Sequence, residues 1–140
     1  MLVQRGPWTL NLNHINLPVP DVAATRDFFV KHFGMVSVFE LPKNSLVILR
    51  DEAGLVLNLS HFDKTSVIEY HKDFHIGFFR ATREEIDAIH SQLNTSGVIA
   101  ESPKKAVGRY GFFIDAPGGF MIEVASLEGE AWASRSKQDG

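Results

Sequence analysis

The chain has 140 residues, of which 44% are hydrophobic and 22% charged, a composition typical of one soluble globular domain. Its net charge of -3 gives no basic field of the kind that binds nucleic acid, and the absence of cysteine excludes disulfides, thiolate metal sites and a cysteine nucleophile. The sequence shows no signal peptide and no run of about 18 apolar residues. We therefore expect a single domain spanning residues 1–140, cytoplasmic and without a membrane partner.

The first predicted group of elements is a strand, a helix and three strands within about residues 9–61. Alternation of apolar and polar residues predicts a strand over 10–18. Asp21 is a suitable N-cap for a helix that ends near His32, before Gly34. Three strands are then predicted over 35–41, 45–50 and 55–60, with turn-like connectors between them.

The second predicted group, within about residues 73–127, repeats the same order. A strand over 73–80 is followed by a helix that begins at the capping box of Thr82 and Glu85 and ends near Thr95. Three strands are predicted over 98–101, 109–115 and 120–126. We interpret residues 62–72 as a linker that could also cover a pocket, and expect the polar tail, residues 128–140, to fray.

The repeated order predicts an α+β fold made of two βαβββ modules. In this architecture the strands form a curved mixed sheet with the helices outside and an inner cavity. The sequence separation of His14 and His75 is close to that of Asn58 and Glu123, so the two pairs fall at matching places in the two modules.

Glu123 is the one charged residue in the apolar run Phe120–Ala125. Because strand side chains alternate between faces, Glu123 shares a face with Met121 and Ala125. A carboxylate on a strand built for burial needs a partner. The candidates are an arginine, Arg109 or Arg50, a hydrogen-bonding group, or a metal ion.

His14, Asn58, His75 and Glu123 all lie on strand faces opposite the main apolar faces, near the middle of their strands. Two imidazoles and one carboxylate on separate rigid strands are typical of a divalent metal site that keeps positions open for water or substrate. We predict that His14, His75 and Glu123 hold one ion of Fe, Mn, Ni, Co or Zn. The alternative is that they form a hydrogen-bonded polar cluster without a metal.

Two segments, NHINLPVPDVAATRDFFVKHFGM in the first module and YGFFIDAPGGFMIEVAS in the second, resemble the vicinal oxygen chelate superfamily. This superfamily includes glyoxalases, bleomycin resistance proteins, fosfomycin resistance enzymes and extradiol dioxygenases. The resemblance covers about residues 9–127 and implies metal ligands at the positions of His14, His75 and Glu123. It also implies a homodimer, sometimes with modules exchanged between chains.

The chain departs from two branches of the superfamily. Asn58 stands where glyoxalase I enzymes usually have an acidic ligand and base, and an amide cannot accept the proton that this isomerisation moves. Phe113 stands where extradiol dioxygenases have a tyrosine, and Lys104, Lys105 and Ala106 occupy the region where those enzymes have a histidine. Fosfomycin-type thiol transferases share the set of His, His and Glu ligands.

The sequence thus favours a metal-dependent small-molecule enzyme of lyase, isomerase, transferase or dioxygenase type that chelates adjacent substrate oxygens. The candidate catalytic residues are Asn58, Arg109 and Tyr110, and the candidate substrate-binding residues are Asn16, Phe79 and Met121. The alternative is a metal-free protein that binds or sequesters a small molecule, as bleomycin resistance proteins do. A third possibility is a catalytically silent module that acts through partners.

Overall fold

The computed structural model describes residues 3–129, and their contacts divide the chain after Ile68 into two units. The first unit contains β1 (His14–Pro18), α1 (Val22–Phe33), β2 (Val36–Glu40), β3 (Leu46–Arg50) and β4 (Val56–Ser60). Its four-stranded sheet has the order β1-β4-β3-β2. The first and last strands, β1 and β4, are parallel neighbours, and the other pairs are antiparallel.

The second unit repeats this topology. It contains β5 (His75–Arg80), α2 (Arg83–Thr95), β6 (Lys104–Ala106), β7 (Arg109–Asp115) and β8 (Met121–Leu127). The sheet order is β5-β8-β7-β6, again with the first and last strands parallel. The prediction of an α+β fold with two βαβββ modules is confirmed, whereas the inner cavity stays a prediction.

Both helices begin at the residues that the sequence predicts. The Asp21 carboxylate accepts a hydrogen bond from the Ala24 N–H at 2.9 Å, and the Thr82 hydroxyl accepts one from the Glu85 N–H at 3.2 Å. Gly34 ends α1 with φ of 69°, a left-handed conformation that favours glycine. Among residues 3–129, no helix is long and apolar enough to cross a membrane.

Each helix packs on one face of its own sheet, and the apolar side chains between them form the cores of the two units. The fully buried core side chains of the first unit include Val22, Phe29, Val47, Leu49 and Leu59. Those of the second unit include Ile86, Phe112, Ile114, Ile122 and Val124. The other face of each sheet therefore carries His14 and Asn58 in the first unit and His75 and Glu123 in the second.

Two strand predictions need correction. The first strand begins at His14 rather than at residue 10, and Leu12 is 81% exposed. The strand predicted over 98–101 is wrong, because the backbone N–H of Val98 bonds to the Leu93 carbonyl at 2.9 Å and so completes the end of α2. The strand that pairs with β7 is Lys104–Ala106. The predicted frayed tail lies almost entirely outside the described residues.

His32, in the last turn of α1, gives the first unit a testable pH dependence. Partial burial, and to a lesser extent the charge of Lys31, lower the pKa of His32 from its ordinary value of 6.5. The unfolded chain therefore takes up this proton more readily than the folded protein. The contribution of neutral His32 to the free energy of unfolding is therefore fully present above about pH 6.5. It is lost as the pH falls through the lower pKa of His32 in the folded protein.

We expect the melting temperature of His32→Gln to fall less than that of the parent between pH 7.5 and pH 5, because the variant has no proton to take up at this position. Thermal unfolding followed by circular dichroism at several pH values measures this difference. Parallel pH profiles for parent and variant would contradict the prediction.

Candidate metal and ligand site

The face of the second sheet that points away from α2 carries most of the predicted site residues. In the strand register His75 lies beside Met121, and Glu123 lies between Gly77 and Phe113. Glu123 is only 4% exposed, although it is on the face away from the helix. His75 and Glu123 are thus diagonal neighbours on adjacent strands, a separation that long side chains can bridge.

Arg109 is the partner of the buried Glu123 carboxylate. Its Nη1 lies 2.6 Å from Oε1 and 2.6 Å from Oε2 of Glu123. Arg109 begins β7 on the same face as Glu123, and the row of the sheet between them contains Gly111 and Ala125. Because these two residues are small, the arginine side chain can lie along the sheet and reach the carboxylate.

The two ring nitrogens of His75, the first residue of β5, have different surroundings. Its Nδ1 lies 3.0 Å from the backbone carbonyl oxygen of Asp73, a hydrogen bond that favours the tautomer of the neutral ring with the proton on Nδ1 and the lone pair on Nε2. Metal-binding histidines commonly have this second hydrogen bond, which fixes the ring and the tautomer. The ring of Phe113 packs edge-on against the imidazole, with 5.3 Å between ring centroids. This arrangement makes Nε2 of His75 a suitable metal ligand.

A cleft of about 380 Å³ in the second unit opens beside His75. Its apolar lining is Phe113 and Met121, and its charged lining is Lys72, Asp73, Glu101 and Lys104. Neither Lys104 nor Glu101 is among the site residues predicted from the sequence, because the strand is predicted over 98–101 and lies at Lys104–Ala106. Alternation along β7 was the signal that would have placed Phe113 on the face of Glu123.

The first unit has a neutral counterpart of this arrangement. Asn58 lies beside Asn16 in the register, just as Glu123 lies beside Gly77. The Asn58 amide Nδ2 is 3.1 Å from His14 Nε2 and donates to it when that nitrogen carries no proton. Asn58 Oδ1 is buried and, among residues 3–129, accepts no hydrogen bond. The structure therefore groups His14, Asn16 and Asn58 on one face of the first sheet.

Tyr110 lies on the opposite face of β7 from Arg109, as expected for consecutive residues of a strand. Its hydroxyl donates to the Asp87 carboxylate of α2 at 2.6 Å, and this hydrogen bond raises the pKa of Tyr110. The Arg83 guanidinium lies over its ring at 4.7 Å. The structure thus ties Tyr110 to the helix and does not bring it to Glu123. Phe79, which is 57% exposed, does share the face of His75.

A protein-family model described as the Glyoxalase/Bleomycin resistance protein/Dioxygenase superfamily matches residues 11–124. The chain belongs to this superfamily. A search of curated proteins finds no match. A solved structure described as a possible glyoxalase from Bacillus cereus is 36% identical, with a TM-score of 0.72, and the match covers 83% of this chain and 98% of that one.

Two more distant members show the same fold. Lactoylglutathione lyase from Agrobacterium tumefaciens is 21% identical, and a fosfomycin resistance protein from Listeria monocytogenes is 20% identical. Both have TM-scores of 0.68, and each match covers 86% of this chain and 96% of the other. At this level of identity the superfamily fold is shared, and a reaction is not thereby assigned.

The donor atoms fit the divalent metal that the superfamily resemblance implies. Among residues 3–129, no three side chains of His, Cys, Asp or Glu lie close enough together to hold a metal ion. The second unit nevertheless provides one imidazole and one buried carboxylate on the same face.

Proposed function

We propose that this protein is a metal-dependent enzyme of lyase, isomerase, transferase or dioxygenase type, acting on a small molecule with adjacent oxygens. His75 and Glu123 of the second unit are two of the ligands of one Fe, Mn, Ni, Co or Zn ion, and the superfamily resemblance implies His14 as a further ligand. The observation that supports this proposal is the pairing of His75, whose Nδ1 is fixed by a backbone carbonyl, with a buried carboxylate on the same sheet face.

The residues around this site have separable roles. When bound, the metal supplies Lewis-acid stabilisation of negative charge that develops on a substrate oxygen. Phe79, Phe113 and Met121 provide apolar surface that excludes water from the substrate. Asn58 and Asn16 offer amide groups that orient polar atoms, and they cannot act as general bases. The presence of asparagine rather than an acidic residue at position 58 argues against ordinary glyoxalase I chemistry.

The proposal is tested by the metal content of purified, untagged protein. We expect about one equivalent of a transition metal in the parent and a loss of affinity of at least about 100-fold in His75→Ala, because one of three protein ligands is removed. His32→Gln is the matched control, since it removes an imidazole from α1. Elemental analysis and titration with the five candidate ions measure these values.

Absence of metal from all three proteins, with no binding and no rise in melting temperature on addition of the five ions, would contradict the proposal. Equal metal content in the parent and His75→Ala would contradict the assignment of His75. The superfamily resemblance also implies a homodimer, and we include it in the proposal. Light scattering during size-exclusion chromatography tests the dimer.

The second candidate is a metal-free small-molecule binding or sequestering protein. The Arg109–Glu123 ion pair favours it, because the buried carboxylate is already neutralised by the protein. In that case the parent lacks metal as isolated and after titration, while the cleft beside His75 still binds an apolar ligand. Ligand binding unaffected by a chelator would support this candidate over the enzyme.

A further inference from the structure

The geometry points to Arg109 as a competitor of the metal ion for Glu123. We infer that the guanidinium occupies the position on the carboxylate that the ion needs, and that Arg109 must move when metal binds. This inference rests on the proposed function, because it concerns the same metal site. Arg109 then has a positioning role: its contact with Glu123 stabilises the metal-free state and so lowers the affinity of the site for metal.

The position of Arg109 Nη1 is the first support. It lies 2.6 Å from each oxygen of Glu123, so it is centred in front of the carboxylate, where the inner lone pairs of the two oxygens converge. Arginine usually meets a carboxylate with two nitrogens side by side. A zinc or similar ion binds carboxylate oxygens at about 2.0–2.2 Å and uses the same lone pairs. The ion and Nη1 therefore exclude each other from this position.

Electrostatics is the second support. The Glu123 side chain is 5% exposed, so its negative charge needs one compensating positive charge nearby. Either the guanidinium or a divalent ion provides that charge. If both contacted the same carboxylate, two cations would lie within a few ångströms in a poorly hydrated setting, where their repulsion is strong. The pair thus favours one cation at a time.

A cleft beside Arg109 has room for the displaced guanidinium. The Arg109 side chain is 35% exposed, and it lines this cleft of about 380 Å³ in the second unit. The other lining residues are Lys105, Ala106, Gly108, Glu128 and Gly129. A change of side-chain rotamer toward this cleft would move the guanidinium away from Glu123 without moving β7.

The competing and supporting roles of Arg109 predict opposite effects of its removal. If Arg109 oriented a metal-bound Glu123, its loss would weaken metal binding by about 10–100-fold, as for other outer partners of metal ligands. If Arg109 competes with the metal, its loss strengthens binding. The sign of the change in affinity therefore decides between the two roles.

The test is calorimetric titration of Co²⁺ or Zn²⁺ into chelator-treated parent, Arg109→Met and Arg80→Met. We expect the Kd of Arg109→Met to fall at least tenfold relative to the parent. Arg80 pairs with Glu85 at the surface, at 2.8 Å, on the opposite face of the sheet from Glu123, so Arg80→Met should stay within about twofold of the parent. Equal or weaker binding by Arg109→Met would overturn the inference.

A second measurement observes the side chain of Arg109 in the parent, and a variant serves only to assign its signal. In protein with ¹⁵N-labelled arginine, Zn²⁺ should change the side-chain signal of Arg109 from a hydrogen-bonded to a solvent-exposed one, with assignment by Arg109→Lys. An unchanged signal at saturating metal would overturn the inference and leave the proposed function standing. Failure of parent and variants to bind any metal would remove both.

Discussion

Gly111→Ala is expected to lower the free energy of unfolding of the second unit by about 3 kcal/mol or more, at the upper end of overpacking effects. A Cβ atom at this position would overlap the Val124 carbonyl oxygen and would lie 2.6 Å from Ala125 Cβ and 2.7 Å from Ala125 Cα. These atoms belong to the central strand β8, which has neighbours on both sides. The sheet must open to accommodate the methyl group.

Gly6→Ala is the matched control, because a Cβ atom there would have no neighbour within 4 Å. Gly77→Ala should show a smaller loss than Gly111→Ala, since its nearest contact would be the Glu123 carbonyl oxygen at 2.8 Å. Urea denaturation followed by circular dichroism measures the three values. A Gly111→Ala midpoint equal to that of Gly6→Ala would contradict the prediction.

Arg109→Met should destabilise the metal-free protein by about 2–4 kcal/mol. The substitution keeps the apolar length of the side chain but leaves the buried Glu123 carboxylate without its positive partner. We place the loss below that of a fully buried pair because the Arg109 side chain is 35% exposed. Arg80→Met removes a surface pair and should cost less than about 1 kcal/mol.

A double-mutant cycle with Glu123→Gln isolates the interaction of the two side chains. Once Glu123 is neutral, Arg109→Met leaves no unpaired carboxylate, so its additional cost should be much smaller than in the parent. Chemical denaturation of the four proteins, all treated with a chelator, provides the cycle. Additive effects of the two substitutions would show that Arg109 does not compensate the Glu123 charge.

The faces of the strands could be predicted from the sequence because one face of each sheet is built for burial. Alternation placed His75 and Glu123 on the face away from the helix, and it placed His14 and Asn58 on the matching face of the first sheet. The equivalence of the two modules followed from the nearly equal spacings. These are local patterns with a period of two residues, which single sequences carry clearly.

The contacts of Glu123 could not be predicted as clearly. Both Arg50 and Arg109 were candidate partners, and the choice depends on strand register and on the small residues that lie between Arg109 and Glu123. Strand β6 was misplaced because Val98 and Ile99 have the composition of a strand, although the chain uses Val98 to end α2. Tyr110 lies on the opposite face of β7 from Arg109, because alternation sends neighbouring residues of a strand to opposite faces.

The order of strands in each sheet has a consequence for synthesis. In both units the last strand made lies between the first strand and the strand made just before it. During synthesis β5 therefore has no strand to pair with until β8 has emerged from the ribosome. The same holds for β1, which pairs only with β4. Because Glu123 lies on β8, its ion pair with Arg109 forms only at this final step. A nascent chain that stops before Met121 would expose two unpaired strand edges and should depend on chaperones.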